Sequence, residues 1–296
     1  MDRGTDFSAW VGRERVSRDT VSLDRARSLA ATLDRDPDAL REGDPLPAGW
    51  HWIYFHEPVP RSALADDGHE RRGDFLPPVP LPRRMWAGGR VRMDRPLVIG
   101  AEVERTSTVR AVEHKEGGSG LLTFVTVEHR LVDGEGLALV EEQNVVYVGR
   151  QPDPGGAPPT AEAPADAGWR SLGRFAADEV TLFRFSALTF NGHRIHYDRP
   201  FATQAEGYPG LVVHGPLLAL LLLGAGIDVL GGAGGVPEPD IRVDFRYRAL
   251  QPLFCGEIVE LWADPAPVGR PGQDLELRTW HAERGAVTRA SLALRA

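Results

Sequence analysis

The sequence predicts an α+β protein of two similar halves, and three observations carry that expectation. The first is a proline-rich break, Arg150-Gln-Pro-Asp-Pro-Gly-Gly-Ala-Pro-Pro-Thr-Ala-Glu-Ala-Pro-Ala-Asp-Ala, with five prolines and almost nothing bulky to bury; such a segment stays extended and solvated. It divides the chain into residues 1–149, a linker over 150–168 and residues 169–296. The second is a set of β-rich runs separated by glycine-rich turns in each half. The third is a stretch around 216–230 that is apolar on every side.

In the first half, Thr20 can cap a helix with Asp24 in its first turn, and Ala26, Leu29, Ala30 and Leu33 fall at i, i+3, i+4 and i+7. Residues 77–82 (Pro-Pro-Val-Pro-Leu-Pro) and 85–89 (Met-Trp-Ala-Gly-Gly) read as an irregular stretch. Three strands follow over 101–112, 121–132 and 137–148, separated by Gly117-Gly118-Ser119-Gly120 and Asp133-Gly134-Glu135-Gly136, as in an antiparallel meander. The pair Glu141-Glu142 reads as a solvated strand end.

In the second half, residues 180–185 read as a strand and 216–230 as a helix, with strands over 241–247, 257–263, 275–283 and 287–294. The helix carries Leu217, Leu218, Leu220, Leu221, Leu222, Leu223, Ile227 and Val229 with no polar face, so a curved sheet has to enclose it. At ~15 residues it rises only about 22 Å, short for a bilayer. The wider run Leu211–Leu230 also holds His214, Pro216 and Asp228.

Composition narrows the function. The chain has 296 residues and a formal charge of −8, from 42 acidic against 34 basic side chains. No positive field is offered to a nucleic acid. A single cysteine, Cys255, cannot form an internal disulfide, and the first residues hold no apolar signal run; a reducing cytoplasm is the expected compartment, without a membrane partner.

Two polar clusters flank the apolar helix: 185–198, with Asn191, His193, Arg194, His196 and Asp198, and 208–216, from Tyr208 through Val213 and His214. Pro216 favours the first helical position, which makes Gly215 the expected N-cap. The first amides of a helix lack internal partners and carry the positive end of its dipole. Without a Cβ, Gly215 lets a ligand approach the main chain, so this start is a cradle for a developing oxyanion. A histidine beside it is the natural proton carrier. The combination suggests enolate chemistry on an acyl thioester, without a metal or a consumed cofactor.

The run Asn191-x-x-x-Ile195-His196-x-Asp198, followed by His214-Gly215-Pro216, resembles the MaoC-type (R)-specific enoyl-CoA hydratases of the hotdog fold, whose motif is Gly-Asp-x-Asn-Pro-Ile-His-x-Asp and then His-Gly-Met. The closer likeness is to the two-hotdog branch that holds 3-hydroxyacyl-thioester dehydratases and mesaconyl- or itaconyl-CoA hydratases. Its members carry runs like Thr-Phe-Asn-Gly-His-Arg-Ile-His-Tyr-Asp at 189–198 and Met-Trp-Ala-Gly-Gly at 85–89.

The resemblance implies a double hotdog, each sheet wrapping a central helix, with the first half degenerate and lending a wall to the substrate pocket. It makes His196 the catalytic base and acid and Gly215 the oxyanion amide, and puts Asn191 where the wider family has an aspartate. An amide cannot take a proton from water, so Asn191 orients the water instead. The substrate is expected to be an acyl-CoA or acyl-carrier thioester, coenzyme A entering only as part of it, and a homodimer is compatible. Arg194 is a candidate cation for a C4–C5 dicarboxylic acyl group, Arg246 and Arg248 candidates for coenzyme A phosphates, and Trp86 and Gly88 candidates for shaping the acyl tunnel. Tyr208, Val213 and His214 complete the expected binding set, with His214 contributing mainly its backbone. Two other readings stay open: a hotdog thioesterase, and a catalytically silent acyl-binding subunit.

Overall fold

The computed structural model describes residues 6–117, 120–149, 163–265 and 274–295. Most of the expected linker, residues 150–162, lies outside them, as do Gly118 and Ser119. The described strands are β1 (Glu14–Thr20), β2 (Arg83–Met93), β3 (Glu102–Gly117), β4 (Gly120–Asp133), β5 (Gly136–Val148), β6 (Arg170–Ala176), β7 (Arg242–Ala249), β8 (Ile258–Ala263), β9 (Leu275–His281) and β10 (Gly285–Arg295). The helices are α1 (Leu23–Thr32), α2 (Glu179–Leu188) and α3 (Gly215–Val229).

All ten strands form one antiparallel sheet in the order β1-β3-β4-β5-β2-β7-β10-β9-β8-β6. The first five and the last five repeat the same order in mirror sequence, so the two expected sheets are fused edge to edge along β2 and β7. That seam pairs Gly88 with Arg248 and Met93 with Val243. Residues 83–93, read in part as irregular because of their glycines and upstream prolines, are therefore the strand that joins the halves.

Four further differences have local causes. Residues 180–185 are helical: Asp178 caps α2 by accepting the Thr181 amide at 2.7 Å, and Leu182, Phe185 and Ser186 form its buried face. A helical stripe thus overrides the strand preference of Val180, Thr181 and Phe183. Helix α1 starts two residues later than expected, behind Ser22, because Thr20 ends β1. Strands β1 and β6 were not legible, since both are sheet edges without a buried residue. Glu141 is 2% exposed; period-2 alternation along β5 turns it to the same face as Leu139.

α3 lies against the sheet, packed on β10, β9, β7 and β2. Its close approach is made at Gly226, where a Cβ would fall 2.7 Å from Leu277 Cδ1 and 2.8 Å from Leu292 Cδ2. Nine of its residues are buried. Among the described residues, the first half has no helix of comparable length in this position: short turns, including Trp50–Ile53, supply apolar contacts, with Leu220 and Leu223 of α3 against Gly49. One core cluster runs through both halves, from Leu29 and Ile53 to Leu222 and Leu292. No helix among the described residues is long and apolar enough to cross a membrane.

Candidate active site

The loop after α2 is shaped by Phe190, whose φ of 51° turns the chain sharply off the helix. Such a left-handed residue costs roughly 1–2 kcal/mol and persists only where its surroundings impose it; here its ring stacks on His56 at 5.4 Å. The next residue, Asn191, donates its main-chain N–H to Ser186 O at 2.8 Å and accepts the His193 N–H on Oδ1 at 3.0 Å. Its Nδ2 has no partner among the described residues.

His196 is enclosed. Its Nδ1 lies 2.7 Å from Val212 O, and a carbonyl can only accept, so Nδ1 carries the proton and Nε2 presents a lone pair. Burial, partly offset by that hydrogen bond, pulls its pKa down to about 4, so the ring is neutral at physiological pH. It stacks on His214 with centroids 3.6 Å apart and planes at 17°. His214 is the residue before α3, so the His196 ring and the helix start are adjacent. The cap is His214 rather than the expected Gly215, which opens the helix as its first residue. Pro216 has no N–H, Leu217 N–H donates to His214 O, and the Gly215 N–H has no main-chain acceptor among the described residues.

His214 does more than supply backbone. Its Nε2 lies 2.9 Å from Ser186 Oγ, while Nδ1 is buried without a partner. Burial, reinforced by His196 and His193, drives its pKa well below 6.5. The stacked rings therefore avoid like-charge repulsion by both staying neutral.

A cavity of about 210 Å³ opens against this arrangement, below the range of pockets for drug-sized ligands and suited to a short acyl group. Asn191, Thr189, Phe185, His214 and Pro216 line it from the second half. Trp86, Trp52, His51, Arg105, Glu141 and Gln143 line it from the first. His196 is not on its wall; it lies one ring behind His214.

The remaining expected residues divide. Trp86 is on the wall and meets Trp52 edge-on at 5.3 Å. Gly88 belongs to the β2–β7 seam and not to the cavity, because a Cβ there would lie 2.3 Å from Tyr247 O. Arg194 is bound by Asp198, with Nε and Nη2 at 2.9 and 2.7 Å, so it serves the loop and is no free cation. Arg246 and Arg248 alternate with the buried Phe245 and Tyr247 along β7, which turns them to the outer face, away from the cavity. Val213 is core, its N–H bonded to Leu253 O. Tyr208 lines a smaller cleft with Arg84, His193 and Asp67.

Sequence reasoning expected a first-half wall but did not name His51, Trp52, Arg105, Glu141 or Gln143 in it. His51 Nε2 and Trp52 Nε1 donate to the two oxygens of Glu141, each at 2.9 Å, and Gln143 Nε2 donates to it at 3.0 Å. Burial alone would raise the Glu141 pKa, but these donors and the nearby histidines hold it below 4.5. The inward side of β5 was the available signal.

One trio among the described residues, Asp67, His69 and His193, places donor atoms within 4.8 Å of one another. Asp67 already accepts both Nδ1 and the main-chain N–H of His69, at 3.0 and 2.9 Å. The positive charge of Arg84 acts on both histidines, which disfavours a cation.

Comparison with known proteins bears on this geometry. Residues 49–255 match the family model for hydroxyacyl-thioester dehydratase type 2. The chain is 49% identical over 252 residues to the mesaconyl-C(4)-CoA hydratase of Chloroflexus aurantiacus, covering 84% of this chain and 85% of that one. It is 29% identical over 240 residues to the mitochondrial hydroxyacyl-thioester dehydratase type 2 of Schizosaccharomyces pombe, covering 72% and 75%. A solved Mycobacterium tuberculosis protein with a double hotdog fold superimposes with a TM-score of 0.60 at 13% identity, covering 96% of each chain. A double hotdog whose second-half helix begins beside a buried neutral histidine, matched in sequence over most of its length, belongs to the hydroxyacyl-thioester dehydratase type 2 family and is a hydro-lyase of acyl thioesters.

Proposed function

We propose that the chain hydrates, reversibly, a branched C4–C5 dicarboxylic enoyl thioester of coenzyme A, with His196 as base and acid, Asn191 holding the water and the Gly215 amide binding the thioester oxygen. The observation that carries the reading is the contact between a His196 ring protonated on Nδ1 and the residue that precedes the first amides of α3. The identity of the Chloroflexus relative supports the acyl class.

In the reacting complex the His196 ring has to reach the cavity past His214; its Nε2 then takes a proton from the water as the water oxygen bonds to the β-carbon. The π electrons of the double bond move toward the carbonyl, giving an enolate whose oxygen meets the Gly215 N–H. His196 then returns the proton to the α-carbon, which leaves a 3-hydroxyacyl thioester. One base serves both transfers, so addition is syn. Charge appears on oxygen only during reaction, so the helix start stabilises the transition state more than the substrate, an effect worth about 3 kcal/mol for one such donor. Water and acyl-CoA balance the reaction, and no cofactor is consumed.

The test is a panel of coenzyme A thioesters: mesaconyl-C4-CoA, crotonyl-CoA and 3-methylcrotonyl-CoA, followed by loss of enoyl absorbance and by free thiol release. Hydration of the dicarboxylic thioester without thiol release is expected. Thiol release without hydration would establish a thioesterase, and binding without turnover a silent subunit; either would end this reading.

The pH profile gives a second expected outcome. The base must be unprotonated, and His196 is held to about 4 by burial. Its hydration kcat/KM at pH 5.5 therefore stays close to the value at pH 7, whereas a base of ordinary pKa would have lost about nine-tenths of it. A midpoint near 6.5 would show that a solvated histidine does the work.

A further inference from the structure

The first-half wall of the cavity carries a guanidinium with unused donors. Arg105 extends from β3 beneath Phe55, its Cζ 5.2 Å from that ring's centroid. Nη2 donates to Phe55 O at 3.3 Å and pairs with Glu57. Nε is buried with no partner, and Nη1 has none among the described residues. Glu57 is shared, since its other oxygen pairs with Arg15, so it neutralises Arg105 only in part.

The other charged group on the wall, Glu141, already receives three hydrogen bonds, from His51, Trp52 and Gln143. Its charge is spread over those donors, two of which fill Oε1. An unpartnered buried N–H is costly unless a ligand satisfies it. A purely apolar acyl tail would leave it unsatisfied; a carboxylate oxygen would accept it in a charge-assisted hydrogen bond.

We propose that Arg105 is the specificity-determining residue that receives the free carboxylate of the dicarboxylic acyl group. This rests on the hydratase reading above and adds its acyl-end partner. In a thioester of the mesaconyl-C4 type the free carboxylate is attached to the β-carbon, the atom that takes the water. Pairing with Arg105 therefore fixes that carbon in the cavity facing Asn191, and removes the repulsion an anion would exert on an approaching water oxygen as it gains charge.

The experiment compares mesaconyl-C4-CoA with 3-methylcrotonyl-CoA, in which a methyl group replaces the carboxylate, on wild type, Arg105→Lys and Arg105→Met. The ratio of kcat/KM for the charged over the neutral substrate is expected to fall by about 10- to 100-fold in the Met variant, mostly through KM, and less in the Lys variant. An unchanged ratio would overturn the assignment, whatever the loss of absolute rate. In the wild type, succinyl-CoA is expected to inhibit more tightly than butyryl-CoA, a readout that does not depend on a variant folding; equal inhibition would also count against the subsite. Failure of the wild type to hydrate either enoyl substrate would instead defeat the underlying function.

Discussion

Replacing His196 by Ala lowers hydration kcat by about 10²- to 10⁴-fold, the loss associated with removing a positioned proton carrier. Asn191 cannot take over, having no titratable proton, and His214 has its Nε2 engaged by Ser186 and its Nδ1 buried. The substitution also leaves Val212 O without the imidazole N–H it accepts, which costs roughly 1–3 kcal/mol of stability. Activity is therefore compared at a temperature where circular dichroism shows the variant folded. His196→Gln is the second variant, its amide able to keep a hydrogen bond to that carbonyl without acting as a base. Both should be inactive on mesaconyl-C4-CoA while still binding succinyl-CoA; turnover within tenfold of wild type in either would remove His196 from the chemistry.

Gly88→Ala breaks the seam between the halves. A Cβ at this position falls 2.3 Å from Tyr247 O and 3.1 Å from Arg248 Cα. Those atoms are backbone of β7, so no rotamer change relieves the overlap; β2 has to lift away along the register that pairs Gly88 with Arg248. A displacement at the centre of a ten-stranded sheet belongs with the most damaging single substitutions, about 4 kcal/mol. For a domain of this size class that corresponds to a fall of roughly 10 °C in Tm. Gly134→Ala, at a turn with nothing within 4 Å of the added carbon, is the control and should melt close to wild type. Equal melting of the two variants would show that the seam tolerates separation.

The second half was largely legible because its signals are local. Four strands with turn residues between them, a helix without a polar face and a dense run from Asn191 to Asp198 each follow from spacing alone. The first half was harder. The meander of β3, β4 and β5 follows from alternation, but β2 is masked by Gly88 and Gly89, whose small size serves the approach of β7 and Glu142 O, a partner no local window contains. Arg105 and Glu141 were missed for a related reason. A charged residue on an alternating strand reads as solvated until a second sheet half and Trp52 are known to cover it. Arg194 shows the reverse: as an arginine in the motif it resembled a ligand cation, yet Asp198 four residues on binds it locally.

His196 and the first amides of α3 are proposed to act on one thioester, with Asn191 holding the water. A crystal structure of His196→Gln with mesaconyl-C4-CoA bound tests it most directly. The thioester oxygen is expected about 3 Å from Gly215 N, the β-carbon within reach of a water held by Asn191 Nδ2, and the residue-196 side chain facing the same water. A thioester carbonyl bound away from Gly215, with residue 196 still screened behind the His214 ring, would contradict it.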